Sequence, residues 1–174
     1  MNGMYLFLLA RFIHVVCGVV WAGSLLFIAF MLMPAIRATG PSGGAVMQQL
    51  FRNQRLQPFL ITLMVFTVLS GLALYRLDMV AFGPNWVHTG PGRTFSAGAV
   101  FAILAVVVGL SINARAAEKI GARSASIQAA GKQPSTEQAA ELGRLQTHLA
   151  RGTLVSTALI IFAVTCMGVA RYVP

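Results

Sequence analysis

Four apolar runs, each about as long as a bilayer is thick, dominate this chain and leave it few ways to fold. A helix needs about 20 apolar residues to cross the hydrocarbon core. The runs cover residues 4–33, closed by Pro34; 58–75, ended by Arg76 and Asp78; 94–113, running into Arg115; and 152–170, ended by Arg171. The sequence therefore predicts an all-α fold, an integral membrane four-helix bundle forming a single transmembrane domain over residues 1–174. Composition agrees, since only 10% of residues are charged, against about 25% in a soluble domain.

The few charges are arranged by side. Arg11, Arg76, Arg93 and Arg171 fall on the side that holds both termini. Arg37, Arg52, Arg55, Arg115, Lys119, Arg123, Lys132, Arg144 and Arg151 fall on the other. Lysine and arginine in short loops mark the cytoplasmic face, so both termini are expected outside, in a multi-pass protein of the bacterial inner membrane. The net charge of +9 then reports topology, and no nucleic-acid partner is expected. Met1 to Ala10 lacks the basic residues of a signal peptide, and the apolar run that follows exceeds a signal's h-region. A retained first helix is expected. Cys17 and Cys166 both lie inside spans, which argues against a disulfide framework.

The connections differ in character. Thr39 to Gly44 reads as a flexible turn, and Pro58 suits the first turn of the second helix. On the terminal side, the stretch Asp78–Arg93 is expected to be a loop with Trp86 as an interfacial anchor. Residues 114–151 are expected to form a cytoplasmic helical hairpin, broken at Gly131 and Pro134. Ser135 and Gln138 form a capping box that starts the helix leading into the fourth span. The hairpin reads either as a solvated element or as a docking surface for a partner.

His14 is the costliest residue in any span. An ionisable ring in a membrane usually faces a partner, a cofactor or a water-filled cavity. Helical spacing aligns Arg11, His14, Gly18, Trp21 and Leu25 on one face, with Cys17 beside them. At about 1.5 Å per residue, His14 lies roughly 5 Å below Arg11, and Met167 roughly 6 Å below Arg171. Ser70, Gly71, Leu72, Ser96 and Gly98 fall in the same layer, where small residues either tighten helix packing or leave a slot for a flat ligand. His14 itself reads either as a neutral ring hydrogen-bonded to a neighbouring helix or as an axial haem or metal ligand. Arg11 would suit a haem propionate, and Met167, Met64 and Met4 are soft donors whose ordinary role is core packing. His88, in the outer loop, is the second candidate metal ligand; His148 sits at the opposite end. Asp78, Glu118, Glu137 and Glu141 are the chain's four acids, and none lies inside a predicted span. A carboxylate proton relay is therefore not expected.

His14, six residues, then Trp21-Ala22-Gly23, with an apolar stretch ending in Pro34, resembles the first helix of the CopD-like membrane proteins. It is similar also to that of the HemJ-like protoporphyrinogen oxidases, which share the four-helix plan. Leu50-Phe51-Arg52, Ser70-Gly71-Leu72 and Met167-Gly168-Val169-Ala170-Arg171-Tyr172 extend the likeness over most of the chain. The resemblance implies copper uptake or resistance on one side, and bound haem b with oxidoreductase activity on the other. His14 matches the first-helix histidine of both.

The expected function is a haem b-binding, redox-active membrane protein. Its cofactor contacts are His14, Arg11, His88, Gly18, Trp21 and Met167, with His14 and His88 as the metal ligands. A CopD-type copper protein and a non-catalytic subunit or assembly factor are the alternatives. Membrane lipid, a redox partner or larger membrane complex, and a second copy of the chain are the expected partners.

Overall fold

A computed structural model describes residues 2–39, 46, 49–50, 55–131 and 134–174. Four helices are long and apolar enough to cross a membrane: α1 (Gly3–Ile36), α2 (Leu56–Phe82), α3 (Gly90–Ala129) and α4 (Thr136–Tyr172). There are no strands among the described residues. Large apolar side chains such as Phe12, Val19, Phe27, Leu69, Val100 and Phe162 stand exposed on the outward faces. Lipid is the solvent that such a surface requires.

The helices run longer than the apolar runs. Pro34 does not close α1, which continues to Ala38. The helix widens into a π-turn at Ile28–Leu32, and the N–H of Met33 bonds the carbonyl of Ile28. Proline clashes with the carbonyl four residues before it in an α-helix, and the wider turn just upstream relieves that clash. Helix α2 runs past Arg76 and Asp78 to Phe82, because nothing breaks the helix until Gly83, at φ +83°. Helix α3 starts at Gly90, earlier than hydropathy indicates. Thr89 caps it by accepting from the Gly92 N–H, and Pro91 sits in the first turn, where its missing N–H costs nothing. The stretch expected as a loop is thus mostly helical, with a 3-10 turn over Pro84–His88. The expected turn at 40–44, and Phe51-Arg52, lie outside the described residues.

The Ser135–Gln138 capping box forms in both directions. Above it, α3 and α4 extend beyond their apolar portions as a hairpin, clasped by Arg123 and Glu141 at 3.0 Å.

Packing falls into two antiparallel pairs. Helices α1 and α2 meet with His14 opposite Gly71 and Gly18 opposite Thr67. Helices α3 and α4 meet with Gly98 opposite Ala163 and Met167, and Asn113 opposite Gly152. Among neighbouring helices, α2 and α3 touch each other least. Trp21, Leu25, Met64, Ala105 and Ile160 form a core at mid-height. A second core, built on Ile28, Met33, Ile36, Ile120 and Leu149, fills the hairpin end. Neither core contains His14.

Candidate functional site

The His14 layer is polar and small rather than apolar. The ring is half-buried on α1 and packs against Gly71 of α2 through its Cε1–Nδ1 edge. A Cβ on that glycine would stand 2.8 Å from Cε1 and 3.0 Å from Nδ1. Glycine is required there because the ring occupies the space. Nδ1 lies 2.8 Å from the backbone carbonyl of Thr67. A carbonyl only accepts, so Nδ1 carries the proton and donates. The Thr67 carbonyl, inside α2, also receives a longer bond, 3.2 Å, from the Ser70 hydroxyl. In the neutral ring this leaves Nε2 with its lone pair, and Nε2 bonds to nothing among the described residues. The alternative of a ring bonded to a neighbouring helix is therefore realised through one nitrogen and leaves the other open.

Arg11, one turn from His14 toward the terminal end, is exposed and attracts Asp78 of α2 without closing to an ion pair. Asp78 is thus the counter-charge across the α1–α2 seam. It lies within α2 instead of beyond it, because the helix continues past the apolar run.

The other candidates are dispersed. Trp21 is buried in the mid-height core with Met64, two turns from His14. Gly18 faces Thr67 loosely, with a hypothetical Cβ 3.5 Å from Cγ2, so that position does not demand glycine. Met167 packs on Gly98 inside the α3–α4 pair, its Cγ 3.1 Å from the position a Cβ would take. Met4 is exposed. His88 closes the 3-10 turn and is exposed, while His148 is exposed near the hairpin. Among the described residues, no group of three or more His, Cys, Asp or Glu side chains is placed to hold a metal ion.

Trp86 is buried, not set out as an interfacial anchor. Its ring meets Tyr75 edge-on at 5.3 Å and stacks on Phe95 at 6.1 Å. Beside it, the Tyr75 hydroxyl lies 2.7 Å from the Ser96 hydroxyl, tying α2 to α3. The 3-10 turn thereby folds over the bundle end as a lid of aromatics.

Two contributors escaped the sequence reading. Thr67 acts through its backbone carbonyl, which every residue has, so its side chain carries no signal. Asn113 was legible only as a polar residue at the end of an apolar run. In the fold it donates from Nδ2 to the Ser156 hydroxyl at 3.1 Å. Its Oδ1 is buried without a hydrogen-bond partner among the described residues, against Gly152. No protein-family model, curated protein or solved structure matches this chain, and its site is read from its own geometry.

Proposed function

We propose that this chain is a haem b-binding, redox-active protein of the bacterial inner membrane, of the CopD-like and HemJ-like kind, with His14 as an axial ligand through Nε2. One observation carries the reading: Nδ1 donates to the Thr67 carbonyl. A metal-ligating histidine almost always gives its second N–H to a carbonyl or carboxylate, which fixes the tautomer and raises the basicity of the ligating nitrogen. The ring is also packed closely against Gly71. Bound haem would supply one-electron chemistry that no side chain in the chain offers. Arg11, one turn away and exposed, suits a propionate, with Asp78 holding its charge in the meantime.

Haem is favoured over copper by ligand economy. The porphyrin brings four nitrogens and asks the protein for one or two more, whereas an isolated copper ion asks for a full set. Among the described residues no group of three or more His, Cys, Asp or Glu side chains surrounds His14. The excess of basic residues beside the hairpin end supports a cytoplasmic hairpin and termini outside, which puts His14 in the outer half of the bilayer.

An absorption spectrum of the purified protein, oxidised and then dithionite-reduced, tests the reading. A Soret band is expected, lost in His14→Ala and kept in His148→Ala. A protein expressed with ample haem and showing no Soret band would sink the proposal. Stoichiometric copper in a haem-free preparation, lost in His14→Ala or His88→Ala, would replace it with the copper reading. Co-purification with a larger complex and no cofactor would replace it with a subunit role.

A further inference from the structure

A half-open cavity of about 100 Å³ lies in the hairpin half of the bundle, away from His14. Its floor is Trp21, Leu25 and Ile28 of α1 with Leu149, Thr153 and Ser156 of α4, all buried. Its exposed lining residues are Ile61 of α2 and Leu110 of α3, so the mouth opens toward lipid between these two loosely packed neighbours. The lining is almost wholly apolar until Gln57 and Asn113, at the hairpin end.

Two exposed cations lie at the height of that end, each two residues along the chain from a lining residue. Arg55 precedes the cavity-lining Gln57 by two residues, and Arg115 follows the cavity-lining Asn113 by two. Both are exposed, and neither has a carboxylate within ion-pair distance among the described residues. Their depth can be fixed from the mid-height core. Arg55 lies nine residues from Met64, and Arg115 ten from Ala105. At about 1.5 Å per residue both are roughly 14 Å from that layer, close to half of the ~30 Å hydrocarbon thickness. Arg11 and Arg171 lie at a similar distance on the other side of it. The arginines therefore sit at headgroup level, above a slot that reaches to mid-bilayer.

We propose that this cavity seats an acyl chain of an anionic phospholipid whose headgroup is held by Arg55 and Arg115. Shape suits part of a chain: the cavity is small, apolar and half-open to the lipid side, so a few methylenes fill it while the rest of the chain stays in the bilayer. Charge selects the headgroup, because juxtamembrane Lys and Arg attract anionic lipid. Gln57, at the junction, is placed for the ester region.

Native mass spectrometry of the full chain in detergent, offered equimolar phosphatidylglycerol and phosphatidylcholine, tests this. Phosphatidylglycerol is expected to be retained in preference. Arg55→Gln with Arg115→Gln lowers its retention by about fivefold per arginine and leaves phosphatidylcholine unchanged. Gly109→Leu keeps both arginines but fills the cavity; a Cβ at Gly109 meets nothing within 4 Å, so the side chain enters without a clash. It also lowers phosphatidylglycerol retention. Equal retention of the two lipids by the unchanged protein overturns the proposal. So does undiminished retention in Gly109→Leu, which would reduce the effect to headgroup attraction, and so does capture of an acidic protein or nucleic acid through these arginines in place of lipid.

Discussion

His14 against Gly71 and Asn113 against Gly152 are the same device used twice, once in each helix pair. A polar side chain on one helix occupies the space that a glycine on its antiparallel neighbour leaves free. What differs is the remaining polar atom. Asn113 donates to Ser156, and its Oδ1 is sealed against Gly152, where only the glycine Cα–H faces it. Nothing outside the protein reaches that oxygen. His14 donates to Thr67, and its Nε2 is left without a partner and not sealed in among the described residues. The first arrangement locks two helices together. The second locks a ring and leaves one nitrogen for chemistry. A polar residue in a membrane span is thus not informative by its cost alone; the fate of its last unsatisfied atom separates a lock from a site.

Five substitutions bear on that contrast. The largest effect is expected for His14→Ala, which abolishes the Soret band entirely, whereas Asn113→Ala leaves it intact; a band surviving in the first or vanishing in the second would erase the distinction. Next come Gly152→Val and Gly71→Val, each forcing a branched side chain into an occupied seam at a cost of about 1–3 kcal/mol. Thermal unfolding in detergent would register both, but only Gly71→Val should displace the His14 ring and shift the absorption maximum. The smallest effect is the Asn113–Ser156 bond itself. A double-mutant cycle with Asn113→Ala and Ser156→Ala is expected to yield a coupling of about 0.6 kcal/mol, the average for hydrogen bonds between membrane helices. A coupling near zero would mean that Asn113 serves only to fill space.

The sequence marked the ends of the structure less well than its middle. Hydropathy located all four helices, yet ended the second before Asp78 and began the third after Pro91. Lipid exposure, which hydropathy tracks, stops sooner than the backbone's preference for helix. The capping box at Ser135 was read correctly because it depends on local residues alone. Trp86 was misplaced because an aromatic in a polar loop looks like an anchor. Its burial depends on Tyr75 and Phe95, which come from two other segments. Counting residues puts Met167 and His14 at one height, but height says nothing about azimuth, and the two pack on different partners, Gly98 and Gly71.

By itself the sequence determined that this chain is helical, lipid-facing and four times bilayer-spanning, because periodicity and apolar length are local and additive properties. It also singled out His14, since one ionisable ring among apolar residues is visible without a fold. Only the tertiary structure decided which neighbour holds that ring, that Asp78 is the counter-charge of Arg11 across the seam, and that a lipid-facing slot opens between α2 and α3. Those outcomes depend on register and on the rotation of each helix about its axis. Both are fixed by how side chains from distant segments interlock, which no single segment encodes.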